Sequence, residues 1–170
     1  MGRARFAAVA AALGVAVLVS ACSNGTSINS PFSTSTPVLR AGPEYEITTG
    51  TVSGLGTVLV DGQGLTVYMY ATDVRGTPSR CYGICSVQWP PVVLPPGRTS
   101  PVAGPGIHAA LLGTTRRTDG SLQLTYNGWP LYLWPPDRAP GKATGQALTN
   151  AGGLWYVLSP AGHPIVTPSP

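Results

Sequence analysis

Two carboxylates set the chemical question. Asp73 and Asp137 each close a Tyr-x-aromatic-x-x-Asp hexapeptide, Tyr68-Met69-Tyr70-Ala71-Thr72-Asp73 and Tyr132-Leu133-Trp134-Pro135-Pro136-Asp137, with every position of one 64 residues from its counterpart. These residue types admit two readings. In the first, Tyr68, Tyr70, Tyr126, Trp129, Tyr132 and Trp134 line a cleft with Asp73 and Asp137 as its acids. Aromatic faces there stack on sugar rings or planar cofactors, and the carboxylates fix hydroxyls. The two Asp could also act as general acid and base in glycoside cleavage if about 5–9 Å apart. In the second reading the corner is a folding device. Each aromatic pair packs between two halves, and each Asp accepts hydrogen bonds from loop N–H groups or a Tyr hydroxyl. A corner written twice favours the second reading, because a catalytic residue has no reason to be duplicated. No Gly-x-Ser-x-Gly elbow, no phosphate-cradling Gly loop and no His-Glu-x-x-His occurs. No catalytic residue is assigned, and a non-enzymatic domain is expected.

The other reactive group is cysteine: Cys22, Cys81 and Cys85. Outside the cytoplasm, Cys81 and Cys85 are expected to form one disulfide closing Cys81-Tyr82-Gly83-Ile84-Cys85. So small a ring restricts the unfolded chain by only about 2 kcal/mol. A redox-active pair and half of a metal site are the alternatives. Redox pairs usually have two intervening residues where this chain has three. A zinc site needs four ligands, and His108 and His163 stand in unpatterned contexts. No cofactor and no metal are expected.

Residues 1–21 have the pattern of a signal peptide: Arg3 and Arg5, an apolar run from Phe6 to Val19, and small residues ending at Ala21-Cys22. The run is shorter than the ~20 residues a membrane-spanning helix needs. Cys22 directly after a small residue is the bacterial lipobox pattern, although an incidental Cys after an ordinary signal peptide would look the same. The lipobox reading puts lipid on Cys22, anchors the chain at the outer face of the cell membrane and makes that membrane its first partner. Without Arg3 and Arg5, eight basic residues face six acidic ones, about +2. That charge is too weak and dispersed for nucleic acid. The adjacent pair Arg116-Arg117 reads as a solvated turn.

The elements that must position these residues read as β. Abundant Gly and Pro with few charges fit a turn-rich all-β domain. Residues 22–43 read as a disordered tether reaching about 25 Å. Residues 44–162 read as one domain of two pseudo-symmetric hairpin or meander repeats, about 55–94 and 113–160, sharing one core. In the first repeat, Leu55–Val60, the turn Asp61-Gly62-Gln63-Gly64 and Leu65–Tyr70 predict a hairpin, with Tyr68 and Tyr70 on one face and Val67 and Met69 on the other. The segment Val87 to Leu94, with Pro90-Pro91, predicts an edge strand or extended cover. Pro95 to Gly106 reads as a connector, and Ile107 to Leu112 allows at most one helical turn. In the second repeat Leu122, Leu124 and Tyr126 alternate with Gln123 and Thr125 before the hairpin signal Asn127-Gly128. Leu154 to Leu158 closes the repeat, and 163–170 reads as a disordered Pro-rich tail.

These residues carry a family resemblance. Tyr68-x-Tyr70-x-x-Asp73, Cys81-x-Gly83-x-Cys85 followed by Trp89-Pro90-Pro91, Gln123-Leu124-Thr125-Tyr126-Asn127-Gly128-x-Pro130-Leu131-Tyr132-x-Trp134-x-x-Asp137, Gly145-Gln146 and Gly153-x-Trp155 together resemble the secreted repeats described as predicted lipoproteins with a Tyr-x-(Phe/Trp/Tyr)-x-x-Asp motif. The likeness spans roughly Leu55 to Gly162. Pro135-Pro136 inside the second corner departs from it. The resemblance implies an exported, lipid-anchored β-repeat domain and brings no established activity. The functional expectation is a cell-envelope binding or scaffold module with an aromatic-rich surface, facing a wall polymer or envelope protein. The alternatives are an extracytoplasmic redox or cofactor protein using Cys81 and Cys85 or an aromatic pocket, and a small hydrolase using Asp73 and Asp137.

Overall fold

A computed structural model of the chain describes residues 42–166. The signal peptide, Cys22, the tether up to residue 41 and the last four residues lie outside that range. The fold is all-β in three sheets. Strands β1 (Glu46–Val52) and β2 (Gly56–Asp61), rich in β-branched residues, form an antiparallel hairpin in register from Ile47↔Asp61 to Val52↔Gly56. A two-residue strand β4 (Val102–Ala103), from the connector, adds to β1 in parallel. The turn after β2 is built by Asp61, whose Oδ1 accepts the N–H groups of Gln63 and Leu65 at 2.9 and 2.8 Å.

The predicted return arm behaves differently. Strand β3 (Val67–Tyr70) keeps only one bridge to the β2 arm, Val60↔Thr66. It then leaves its hairpin and enters a sheet ordered β8-β3-β10-β9, between β8 (Tyr132–Leu133) and β10 (Gly153–Val157), with β9 (Thr149–Asn150) outermost. All four residues of β3 are buried, so it needs ladder partners on both edges and covering on both faces. The alternation expected for it holds. Val67 and Met69 join an aliphatic cluster, while Tyr68 and Tyr70 join an aromatic one. Both clusters draw on both halves of the chain.

The second half repeats the plan with β5 (Leu112–Arg116), β6 (Leu122–Tyr126) and β7 (Trp129–Pro130). Asn127 and Gly128 hold φ of 48° and 78°, the left-handed pair that a tight two-residue turn requires. The alternation along β6 does not separate core from solvent as expected. Gln123 and Thr125 are buried as well, and the Gln123 amide is engaged by the Arg117 guanidinium at 2.6 Å and the Leu131 carbonyl at 2.8 Å.

Each half lends its last strand to the other. Strand β10 of the second half pairs with β3 of the first, Trp155↔Tyr70 to Val157↔Tyr68. The Pro91–Leu94 segment of the first half bridges Tyr132 and Gln123 of the second. Main-chain bonds repeat the exchange: Leu59 N–H to the Leu158 carbonyl at 3.0 Å, and Leu124 N–H to the Val92 carbonyl at 2.8 Å. Neither half can complete its ladder alone. A cut in the exposed turn between Gly97 and Arg98 is expected to leave two fragments, 42–97 and 98–166, that are unfolded singly and regain native near-ultraviolet circular dichroism when mixed. A fragment with native-like signal by itself would refute the exchange.

Three expectations are corrected. Gly42, inside the expected tether, is tied to the domain by its N–H to the Gly62 carbonyl at 3.0 Å. Residues 163–166 of the expected disordered tail are ordered against β10, by the bridge Leu158↔Pro164 and the Ile165 N–H to the Val157 carbonyl at 2.9 Å. Finally, Val87 and Gln88 are not extended. They end a single helical turn, α1 (Ile84–Gln88), formed within and just after the Cys ring. The turn expected near Ile107–Leu112 is a 3-10 turn at Ala109–Leu111.

Asp61 makes the fold sensitive to pH. Its Oδ2 is buried without a hydrogen-bond partner among the described residues. Burial pushes its pKa up to about 6, against the Leu65 and Gln63 N–H bonds that lower it. Since the folded state holds this proton more tightly than the unfolded state, the contribution is largest below about pH 4. It is lost as pH rises to about 6, by at most about 3 kcal/mol. Thermal unfolding between pH 4 and 7 is expected to show falling stability across that window, with Asp61→Asn flattening the slope. Asp73, also raised by burial, adds to the same trend. An unchanged slope in Asp61→Asn would exclude this origin.

Candidate functional site

Tyr68 and Tyr132 sit opposite each other in the β3–β8 register, near the centre of the pseudo-symmetry. Their hydroxyls cross it. Tyr68 donates to Asp137 Oδ2, and Tyr132 donates to Asp73 Oδ2 at 2.7 Å. Each Tyr thus bonds the Asp of the other hexapeptide. The remaining oxygen of each Asp accepts a backbone N–H seven residues on, Arg80 for Asp73 Oδ1 at 2.7 Å and Thr144 for Asp137 Oδ1 at 2.9 Å. Thr144 Oγ1 adds a third donor to Asp137 at 2.6 Å, and Ser79 is hydrogen-bonded to the Tyr132 hydroxyl at 2.7 Å. The carboxylates are only 4 % and 3 % exposed for Asp73 and Asp137. Burial raises the pKa of Asp73, opposed by the Tyr132 and Arg80 bonds and the Arg117 charge. Burial and the facing carboxylate push both phenols above the usual tyrosine range.

Beside this cross lies a stack of four rings. Trp134 stacks on Trp89 at 4.3 Å, Trp89 on Trp155 at 3.9 Å with planes 2° apart, and Trp155 on Tyr70 at 4.3 Å. Tyr68 meets Trp89 edge-on at 5.3 Å, and Tyr132 meets Trp155 at 5.1 Å. The order alternates between halves, so the stack obeys the same pseudo-symmetry. Gly145 permits it: a Cβ there would stand 2.7 Å from Trp89 Cη2 and 3.1 Å from Tyr68 Cζ.

The structure therefore gathers Tyr68, Tyr70, Asp73, Tyr132, Trp134 and Asp137 in one interior cluster. Tyr126 and Trp129 lie in the aliphatic layer instead, where the Tyr126 hydroxyl donates to the Pro160 carbonyl at 2.8 Å. Of the eight residues proposed to form an aromatic surface, Trp129 and Trp134 alone are half-exposed; the rest are interior. A cleft holding two free carboxylates is absent among the described residues, because both carboxylates are buried and each of their oxygens already accepts a hydrogen bond. The hydrolase reading falls on that point.

Sequence reading missed several participants. Trp89 and Trp155 were recognised as repeat positions and not as the centre of the stack. Arg117, read as part of a solvated turn, is buried at 5 % exposure. Its guanidinium donates to Gln123 Oε1 at 2.6 Å and to the Cys81 carbonyl at 2.8 Å, and lies over the Tyr82 ring at 4.4 Å. No local pattern announces this, since its partners come from the Cys ring and from β6. Cys81 and Cys85 are disulfide-bonded, with Cα atoms 5.2 Å apart. Cys81 is buried and Cys85 half-exposed.

These features define a two-repeat, disulfide-bearing all-β domain whose repeats are joined through duplicated Tyr–Asp corners. The chain belongs to the family described as "Secreted repeat of unknown function", whose model matches residues 51–93 and 113–159. The two matched stretches coincide with the two interlocked halves. No curated protein and no solved structure matches the chain significantly. Among the described residues no helix is long and apolar enough to cross a membrane, and no cluster of three or more His, Cys, Asp or Glu could hold a metal ion.

Proposed function

We propose that the protein is a cell-envelope lipoprotein, held at the outer face of the membrane by lipid on Cys22, whose β domain is a non-enzymatic scaffold with one binding surface. The observation that carries this reading is where the motif groups are spent: both Asp and both motif Tyr bond one another across the halves. What remains open to a partner is the half-exposed Trp134. It borders an apolar depression of about 370 Å³ with Leu65, Pro90, Leu133, Pro135 and Arg138. An indole and prolines beside one guanidinium suit the ring faces of a wall polymer, or an extended segment of an envelope protein.

Two measurements test the two parts. Metabolic labelling with a fatty-acid analogue is expected to mark the wild-type chain and not Cys22→Ser, which should move to the aqueous phase. Equal labelling of both would refute the anchor. Sedimentation with purified cell wall is expected to fall on Arg138→Glu, a change at an exposed side chain that leaves the interior intact. Wall binding that ignores this substitution would remove the depression from consideration.

A further inference from the structure

We propose that the four stacked rings, with the two crossed Tyr–Asp pairs beside them, form a relay that takes one oxidising equivalent at Trp134 and holds it as a neutral tyrosyl radical in the interior. This is independent of what the depression binds. Trp134 is the half-exposed end of the stack, and Tyr70 is its buried end. Between them the rings are in contact at 4.3, 3.9 and 4.3 Å, so the chain of π-systems is unbroken. Each central indole has a phenol edge-on within 5.3 Å.

Where protons can go decides where the radical rests. The indole N–H groups of Trp89 and Trp155 donate to amide oxygens, Asn150 Oδ1 at 3.0 Å and the Asn150 carbonyl at 2.9 Å. Amide oxygens are poor bases, so an oxidised indole keeps its proton and passes the electron deficit on. The phenols of Tyr68 and Tyr132 instead face carboxylate oxygens, placed as a general base must be to receive a proton. Loss of an electron makes a phenol strongly acidic, so the proton follows. The carboxylate on each phenol places a base at the two points where the stack can be drained.

The step balances as follows. A metal-centred outer-sphere oxidant in solution accepts one electron from Trp134, leaving an indole radical cation. An electron moves from Tyr68 through Trp89 to refill it. The Tyr68 O–H bond breaks, and its proton passes to Asp137 Oδ2. The products are a neutral tyrosyl radical, a carboxylic acid at Asp137 and the oxidant reduced by one electron. The pair Tyr132 and Asp73 does the same through Trp155. A one-electron reductant at Trp134 reverses the sequence and returns the proton to the phenol.

The test is flash oxidation of the full chain by photo-excited tris(bipyridine)ruthenium with a cobalt(III) ammine as sacrificial acceptor, followed by transient absorption and freeze-quench electron paramagnetic resonance. A tyrosyl signal is expected in the folded chain that outlives the signal of the same chain in urea. Asp73→Asn with Asp137→Asn should slow its formation on the order of 100-fold, the contribution of a positioned base. Tyr68→Phe with Tyr132→Phe should abolish the long-lived signal, leaving only short-lived radical on half-exposed Tyr45, Tyr82 and Tyr156 and on Tyr70, whose hydroxyl donates to the Ala151 carbonyl and has no carboxylate to take its proton. Equal lifetimes in folded and unfolded chains would overturn the proposal, and that comparison requires no variant to fold. So would a long-lived signal that survives in the double Phe variant.

Discussion

Trp155→Ala is expected to lower the unfolding free energy by about 3–5 kcal/mol, the range for removing a buried tryptophan. Trp155 is fully buried, stacks on Trp89 and Tyr70, and receives the edge of Tyr132. It also lies on β10, the strand that the second half lends to the first. The void left by alanine would open at the contact between halves, where both layers of the stack depend on it and neither can collapse inward. Urea unfolding read by far-ultraviolet circular dichroism gives the number directly. The midpoint should fall with little change in slope. Loss of under 1 kcal/mol would mean that the stack is peripheral to stability. Trp89→Ala, at the pseudo-symmetric position, should match it.

The second large effect is expected at the crossed corner. Asp137→Ala strips acceptors from the Tyr68 hydroxyl, the Thr144 N–H and the Thr144 hydroxyl at once. Tyr68 is fully buried and its donor would be left unsatisfied, whereas exposed Thr144 can turn to water, so a loss of about 1–3 kcal/mol is expected. A double-mutant cycle locates the partner. Tyr68→Phe and Asp137→Asn, from different hexapeptides, should couple by about 1–3 kcal/mol, whereas Tyr68→Phe and Asp73→Asn should be near-additive. The reverse pattern would mean that each hexapeptide closes on itself, and the exchange of strands would then be wrong. Asp73→Ala should cost a similar amount, because Asp73 accepts from Tyr132 and the Arg80 N–H in the mirrored arrangement.

The Asp61 trend separates these effects experimentally. It acts at the turn after β2, away from the crossed corners, and its stabilisation is present below about pH 4 and gone by about pH 6. Comparing variants above pH 6 therefore holds that contribution constant.

The local pattern of residues was enough to establish class and repeat structure. Alternating β-branched and aromatic residues specify strands through side-chain period, Asn127-Gly128 specifies a turn through left-handed φ, and two Cys four apart specify a small ring. Identical spacing of Tyr, aromatic and Asp established that the two halves are built alike, and duplication itself pointed to folding over catalysis. Tertiary structure decided the rest, because it concerns contacts between residues far apart in the chain. Spacing within one hexapeptide cannot reveal that its Asp serves the Tyr of the other. Alternation along β6 cannot reveal that Gln123 is buried with its amide bonded to Arg117 and the Leu131 carbonyl, nor that Arg117 bonds the Cys81 carbonyl. A hairpin signal cannot reveal that β3 departs after one bridge, since burial on both faces and both edges outweighs the local turn. The aromatic residues that composition offers as a surface became an interior stack for the same reason. Two halves of the chain, each short of a strand, complete each other with those rings turned inward.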